Sequence, residues 1–413
     1  MSHDAYVVVG AGHAGRRAVE SLREQAPDAH IVLIGDEPDH PYDRPVLSKD
    51  ALITAQGEQK AFIKTREWYT DHGIDLRLGT RVANIDRAAR QVVLSDGTTL
   101  AYHRLLLATG SRVRRFSGEL DAAVPVHYVR TVADTRRLRA ELTAGKRVGV
   151  IGGGFIGLEV AASARTLGCH VTLIEPAPRL LQRSMPAVVG DAIQALHTDR
   201  GVDLRLATSA SALRMQADGT IGIDISGPSR ESRQTVSVDI VVVGIGVVPN
   251  VELAAEAGLT VDNGIVVDDH CRTIDPSIFA AGEVTQHFNP VLERSLRIES
   301  WQVAENQPPV AASNMLGGDA TYGEMPWLWS DQYDTNLQTL GIFEANDALV
   351  TRGDAAGGPF SVLALDASGR VKAVATVNGG RDMAAFRRLM QKGVSAPAER
   401  WSDPSVSLRE MLK

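Results

Sequence analysis

Two short stretches of this chain carry the residue types that hold a phosphorylated dinucleotide. One is Gly10-Ala11-Gly12-His13-Ala14-Gly15, the other Gly152-Gly153-Gly154-Phe155-Ile156-Gly157. Both fit G-x-G-x-x-G, in which the first glycine permits a tight turn, the second lets a pyrophosphate approach the backbone, and the third lets helix and strand pack closely. Acids follow at a matching distance: Asp36, 26 positions after Gly10, with Glu37 beside it, and Glu175, 23 positions after Gly152. A carboxylate there accepts the hydroxyls of a ribose.

The elements that must position these residues are legible on either side. Ala5–Val9 is a short apolar run fit for a buried parallel strand; it enters the first turn, a helical stretch runs on through Gln25, and a second apolar strand, Ile31–Ile34, ends at the acids. The unit recurs as Arg147–Ile151, the second turn, a helix through Leu167, and Val171–Ile174 ending at Glu175. The phosphates would lie at the two helix N-termini, where unbonded N–H groups and the dipole favour negative charge. One such glycine turn is weak evidence; two complete units are strong. Two dinucleotide sites in one chain suggest two dinucleotides that react together, most simply FAD and a nicotinamide that delivers hydride to it. Glu175 would repel a 2′-phosphate, which favours NADH.

Three later segments extend the pattern. Leu105–Leu107 ends in Ala108-Thr109-Gly110, Ile240–Val243 ends in Gly244-Ile245-Gly246, and Ser277–Ala281 ends in Gly282-Glu283. Small residues at strand ends let a cofactor pass close to the backbone. Asp218-Gly219 and Asp262-Asn263-Gly264 mark hairpin-like turns.

Composition bounds the rest. At ~150 residues per domain, 413 residues make two to three domains. A net charge of −7 argues against a nucleic-acid role driven by phosphate neutralisation. No apolar run reaches the ~18 residues of a membrane span, and no leader pattern precedes the first strand. The two cysteines, Cys169 and Cys271, form no C-x-x-C and read as small buried filler in a cytoplasmic protein. No metal site is read.

The order of these segments resembles the glutathione-reductase-like two-dinucleotide flavoproteins. Pro41-Tyr42-Asp43-Arg44-Pro45-Val46-Leu47-Ser48-Lys49, Arg297–Trp301 and Trp327–Tyr333 resemble, more narrowly, the NADH-dependent ferredoxin reductases of bacterial oxygenase systems. The resemblance implies an α/β fold of two Rossmann-like dinucleotide-binding domains plus a C-terminal α+β domain. FAD would take residues 1–115 and 247–322, NADH residues 116–246, and the C-terminal domain residues 323–413.

The resemblance also implies roles, residue by residue. Thr109-Gly110 and Gly282-Glu283 touch FAD, with Glu283 on the ribityl chain where the family carries Asp. Arg44 lies in a cofactor motif, Val82 meets adenine through its backbone, and Arg130 contacts an FAD phosphate or ribose. Lys49 sits by the flavin near N5, and Glu159, near the nicotinamide, could pair with it. Trp301 packs by the flavin and precedes a helix whose N-terminus faces the flavin pyrimidine. Pro308-Pro309 predicts that this helix begins near Asn306 or is kinked, because proline is tolerated only in a first helical turn. Trp327 and Trp329 are either core packing or a layer beneath a docked protein. His13, inside the cofactor turn, reads as a helix-start residue and not as an acid or base. Three basic groups, Arg112/Arg114/Arg115, Arg294/Arg297 and Arg387/Arg388, are either solvated faces or a means of steering an acidic partner. No cysteine stands where the superfamily's disulfide reductases and peroxidases carry theirs, so electrons would leave the flavin directly. The partner implied is a [2Fe-2S] ferredoxin feeding a cytochrome P450 or ring-hydroxylating oxygenase, with the reductase a monomer or homodimer. A rubredoxin reductase, an oxidase passing electrons to O2, and an NADH-responsive binding protein of the apoptosis-inducing-factor branch are the alternatives.

Overall fold

The two apolar runs that precede the glycine turns become the central strands of two parallel sheets. In the computed structural model, which describes residues 5–227 and 233–412, Ala5–Val9 pairs in parallel with His30–Ile34 on one side and with Arg104–Leu107 on the other. Ile74–Arg77 and Ile278–Ala280 complete five strands. Arg147–Ile151 is likewise flanked by His170–Ile174 and Ile240–Val243, with Asp203–Arg205 and Val126–His127 at the edges. A strand buried on both faces needs apolar residues at successive positions, and both central strands have them.

Alternation then sorts those residues to two cores. In the first sheet Val8, Ile31, Leu33 and Leu106 point to one side, beneath the helices His13–Gln25 and Trp301–Met315. Val7, Val9, Val32, Ile34, Leu105 and Leu107 point to the other, against the antiparallel strands Val82–Asp86 and Gln91–Leu94. In the second sheet Ile151, Ile174, Val241 and Val243 pack with Leu213, Ile223 and Val238 of an antiparallel ribbon. Asp218-Gly219 turns that ribbon.

Contacts divide the chain into two units. The first comprises residues 1–45, 59–112 and 247–326; the second comprises 46–58, 113–246 and 327–413. Residues 46–58, placed in the FAD segment by the sequence reading, thus cluster with the second unit. There the short helix Asp50–Ile53 lies against the helices Val132–Glu141 and Phe155–Thr166. Residues 327–412 of that unit form a five-stranded antiparallel sheet, Trp327–Gln332 at one edge and Ala348–Gly353 at the other, with the helix Gly380–Gln391 packed on it. After the five-residue helix Ala398–Ser402 the chain runs through turns to a single 3-10 turn, Glu410–Leu412.

The helix bearing Pro308 and Pro309 does not begin at Asn306. It starts at Trp301 behind the cap Ser300 and runs unbroken to Met315, with both prolines inside it. The prolines cannot donate to the carbonyls of Ala304 and Glu305. Tertiary bonds hold the segment through the gap: Gln302 and Asn306 both donate to Glu324 at 2.7 Å, and Gln307 accepts from the Gly282 N–H at 2.8 Å and the Thr285 hydroxyl at 3.0 Å.

One buried side chain gathers four carbonyls of the C-terminal segment. Arg352, 8% exposed, donates to the carbonyls of Trp401, Asp403, Pro404 and Val406. Replacing it by Met leaves those acceptors unpaired, and hydrogen bonds to a charged group contribute about 1.5–3 kcal/mol each. Arg352→Met is expected to raise amide hydrogen exchange across residues 398–412 by roughly 100-fold, a local opening cheaper by about 3 kcal/mol. Unchanged protection there would show that the tail holds without it.

Candidate functional site

Each glycine turn answers a steric demand. A Cβ on Gly10 would lie 2.1 Å from the Ala108 carbonyl oxygen, and one on Gly152 would lie 2.3 Å from that of Gly244. Both residues have positive φ, +112° and +115°. A Cβ on Gly15 would stand 1.9 Å from the Gly10 oxygen, and one on Gly157 2.0 Å from the Gly152 oxygen. These four glycines are therefore required by the fold itself. The middle glycines differ: a Cβ on Gly12 would meet only an Arg44 guanidinium nitrogen at 3.8 Å, and one on Gly154 nothing within 4 Å. Their openness serves something that comes to the turn.

Two further features show what kind of group suits that space. The helices His13–Gln25 and Phe155–Thr166 start from Gly12 and Gly154 with no side-chain cap and no acid in the first turn. Their first N–H groups are free of side-chain acceptors, the arrangement that receives a phosphate. Arg44 stands over Gly12 in the first turn, bonded to Glu37 at 2.8 Å and to the Tyr42 hydroxyl at 3.1 Å. Burial disfavours its charge, but Tyr42, Glu37 and Glu283 outweigh burial and raise its pKa, so it stays a cation. In the second turn Ile156, 44% exposed, and the half-buried Phe155 put an apolar face beside the open glycine.

The acids are held differently. The backbone N–H of Gly35 donates to Arg77 and that of Glu175 to Arg205, so these two residues occupy equivalent places after their strands. A Cβ on Gly35 would lie 2.4 Å from the Ala11 Cβ. The first unit therefore has no room for an acid at that step and carries it one and two residues later: Asp36 is exposed, and Glu37 is tied to Tyr42 and Arg44. Glu175 is fixed by the N–H groups of Gly153 at 2.6 Å and Ala177 at 2.8 Å.

The remaining expected residues fall on both units. In the first, Ala108 packs on Gly10, and Thr109 exchanges two bonds with Asn250 at 2.7 and 2.8 Å, fixing the turn that ends at Gly110. Gly282, at φ +89°, faces Ala14, so that a Cβ there would stand 2.8 Å from the Ala14 Cβ; Glu283 follows it, half-buried. Val82 opens the strand Val82–Asp86. Trp301 begins its helix, and its indole N–H donates to Asp43 at 3.1 Å. In the second unit Gly244 faces Gly157, Ile245 lies against Gly152, and Gly246 follows at φ +99°, while Arg130 precedes Thr131, the cap of Val132–Glu141.

Lys49 and Glu159 meet in the second unit. Lys49 Nζ lies 3.2 Å from Glu159 Oε1, which also accepts from the Ser330 hydroxyl at 2.6 Å; the other oxygen accepts from Ser48. Glu159 is only 4% exposed, and burial raises its pKa against the pull of Lys49 and the two hydroxyls. The Lys49 ammonium is 5.6 Å from the centre of the Trp329 ring, Trp329 stacks on Trp327 at 5.0 Å, and Arg387 lies 6.0 Å from Trp327. Ser48, Ser330, Asp43 and Asn250 escaped sequence reading as site residues. The two serines stand in the quoted motifs, where a hydroxyl beside an expected ion pair was the available signal; Asp43 and Asn250 gave none.

Several expected surface residues are already engaged. Arg112 pairs with Glu252 at 2.7 Å, Arg297 with Glu299 at 2.5 Å, and Arg115 covers the Tyr128 ring at 4.4 Å. Both cysteines are fully buried, and burial raises both thiol pKa values.

Removing one partner of a buried ion pair costs about 3–5 kcal/mol, because the other charge is left uncompensated. Lys49→Met is expected to lower stability by about that amount, and Lys49→Met with Glu159→Gln to recover most of it. Denaturant melts of the four proteins check this; additive losses would show that the pair carries no coupling.

The pyridine nucleotide-disulphide oxidoreductase pattern matches residues 4–307, and the reductase C-terminal pattern matches 327–412. The chain is 58% identical over 412 residues to the anthranilate 1,2-dioxygenase system ferredoxin–NAD(+) reductase component of Burkholderia cepacia, covering 100% of both. It is similar to the reductase in a covalent putidaredoxin reductase–putidaredoxin complex, with a TM-score of 0.93, 36% identity, and coverage of 100% of this chain and 99% of that one. It is also similar to the ferredoxin reductase for the CYP199A2 system of Rhodopseudomonas palustris, with a TM-score of 0.93, 34% identity, and coverage of 99% and 100%.

Proposed function

Because the chain belongs to the pyridine nucleotide-disulphide oxidoreductase family, in its branch of FAD-dependent ferredoxin–NAD(+) reductases with the glutathione-reductase-like fold, we propose that it carries electrons from NADH through FAD to a [2Fe-2S] ferredoxin of a ring-hydroxylating oxygenase system. The observation that carries the reading is the pair of open middle glycines, each at an uncapped helix start and each followed by its own acid. FAD, when bound, would take one hydride, two electrons with a proton, from the nicotinamide and supply those two electrons one at a time to the carrier.

The residues of the chain divide the work. Gly10, Gly12, His13, Ala14 and Gly15 seat the FAD pyrophosphate on the first helix start, with Arg44 supplying a fixed cation above Gly12. Asp36 and Glu37 take the adenosine ribose, Val82 the adenine, and Thr109, Gly110, Gly282 and Glu283 line the path of the ribityl chain. Glu283, where the family carries Asp, is half-buried and lies in the field of Arg44. In the second unit Gly152, Gly154 and Gly157 seat the NADH pyrophosphate, Phe155 and Ile156 offer the apolar face, and Glu175 takes the ribose hydroxyls. Glu175 is pinned by two backbone N–H groups, so it cannot swing aside for a 2′-phosphate. Within the second unit Glu159 holds the Lys49 ammonium in place, a fixed cation of the kind that would stabilise negative charge on a reduced flavin, the role the family resemblance gives it. Arg130 adds a cation toward FAD.

Electrons leave without a thiol relay, since both cysteines are fully buried and their thiols held protonated. The stack Lys49–Trp329–Trp327–Arg387 supports docking of an acidic carrier beside it. The choice of a ring-hydroxylating oxygenase over a P450 system rests on the 58% identity to the anthranilate dioxygenase component against 34% to the CYP199A2 reductase. No helix among the described residues is long and apolar enough to cross a membrane, and we place the protein's work in the cytoplasm, where NADH is supplied.

Anaerobic stopped-flow tests the reading directly. NADH is expected to bleach the yellow protein rapidly, and mixing with a panel of [2Fe-2S] ferredoxins and one rubredoxin is expected to reoxidise it with one of the ferredoxins. Reduced protein that no carrier reoxidises would sink the electron-carrier reading. Glu175→Ala is expected to cut the preference for NADH over NADPH by about tenfold or more, as removal of one repulsive charge predicts. An unchanged ratio of kcat/KM values would remove Glu175 from that role.

A further inference from the structure

The first turn of the His13–Gln25 helix carries a charged cluster that the electron-transfer reading does not use. His13, 8% exposed, bonds through Nδ1 to Asp43 and through Nε2 to Glu305 at 2.6 Å. A neutral imidazole has one N–H and can donate to only one carboxylate; donating to both requires the imidazolium. Asp43 also accepts from the Trp301 indole, whose ring lies 5.2 Å from that of His13. The two bonds of His13 thus join three segments: the glycine turn itself, the loop that carries Arg44 to Gly12, and the helix that Trp301 begins.

We propose that His13 is a positioning residue for FAD: as an imidazolium it clasps Asp43 and Glu305, locking the Arg44 loop and the Trp301 helix onto the pyrophosphate turn, so that FAD retention depends on one proton held by this side chain. The proposal rests on the reading of the first unit as the FAD-binding one. It adds a role for His13 beyond lining the turn.

The charges around His13 are consistent with it. From its own helix, Arg16 reaches Glu20 at 2.8 Å and Glu305 at 3.0 Å and stands 3.2 Å from the His13 ring. Arg17 bonds Glu20 and Glu305, both at 2.7 Å. The loop contributes Asp43 and Arg44, and the Trp301 helix contributes Glu305. Lys64 lies 3.9 Å from Glu20, and buried Tyr69 faces Arg16 and Glu20 with its pKa raised by burial. Asp43, Glu20 and Glu305 bring three carboxylates to a site whose guanidiniums Arg16 and Arg17 are shared between Glu20 and Glu305. Asp43 has no guanidinium bond among these, and the His13 proton is what answers it. Burial lowers the pKa of His13, and so does the Arg16 cation, but its bonds to Asp43 and Glu305 outweigh both and leave it raised above its ordinary value. Of the group, only His13 has an ordinary pKa near neutrality. A raised pKa means that the clasp is complete below about 6.5 and is lost as the pH climbs through the raised value.

The test measures release of FAD from the holoprotein on dilution, followed by the rise of free-flavin fluorescence, between pH 6 and 10. In the unaltered protein the dissociation rate is expected to be flat at acid pH and to rise by about tenfold or more on the alkaline side, the loss of one charge-assisted bond. His13→Gln, which can take no proton, is expected to release FAD at the faster rate throughout and to show no such step. Glu305→Gln offers an amide donor where His13 otherwise needs its second N–H, so a neutral His13 completes the clasp; its rate is expected to stay slow and flat. A step of unchanged size and midpoint in both variants would overturn the proposal, as would a rate in the unaltered protein that ignores pH. Failure of either variant to fold, seen in its far-ultraviolet dichroism, leaves the other and the unaltered profile to decide. A protein that never binds FAD would instead overturn the reading on which the proposal stands.

Discussion

A pyrophosphate can touch a peptide backbone only where no Cβ intervenes, and most of this molecule is arranged around two places where that holds. Gly12 and Gly154 are open because Gly10 with Gly15, and Gly152 with Gly157, are jammed: the outer glycines let strand, turn and helix close on one another within 2.4 Å of where a side chain would begin. The closure aims the start of each helix at the open residue. Five parallel strands stand behind each turn, and in the first sheet their apolar residues alternate between two cores. The sheets are thus supports for two patches of bare backbone with partial positive charge.

The second constraint is the expense of burying a charge. Glu159, on the helix Phe155–Thr166, is almost fully covered, and the chain answers with Lys49 and two serine hydroxyls drawn from two other segments: the loop around residue 48 and the strand Trp327–Gln332. The Lys49 ammonium is therefore held by a buried carboxylate that two hydroxyls steady. The Lys49 ammonium lies over Trp329, whose ring stacks on Trp327. The arrangement couples the C-terminal sheet to the nucleotide-binding part of the same unit through a short polar chain, which continues from Ser330 to Gln332 and His197.

The two halves of the repeat are not copies in detail, and the differences have simple causes. Gly35 and Glu175 hold equivalent positions, yet only the second has space for a side chain, because Ala11 fills in the first turn what Gly153 leaves open in the second. That one methyl group accounts for one of the three extra positions from glycine to acid in the first unit; the other two precede Gly35, which lies 25 positions after Gly10 where Glu175 lies 23 after Gly152. The methyl group also explains why the first acid is steadied by Tyr42 and Arg44 and the second by backbone N–H groups.

By itself the sequence determined the two strand–turn–helix–acid units, their order, the small-residue strand ends and the likeness to ferredoxin reductases, because these depend on local spacing: period, glycine placement and the distance to the next acid. Tertiary structure decided what local rules could not. Pro308 and Pro309 forbid a helix by their chemistry, yet the helix runs through them, since Gln302, Asn306 and Gln307 fasten it to other segments. Ser48, Ser330, Asp43 and Glu305 became site residues only on folding. Each is an ordinary polar residue in the sequence, and its meaning lies in a partner far along the chain: 111 and 171 positions to Glu159 for the serines, 30 and 292 to His13 for the acids. A hydrogen bond is short-ranged in space and indifferent to sequence separation, so no pattern along the chain announces it.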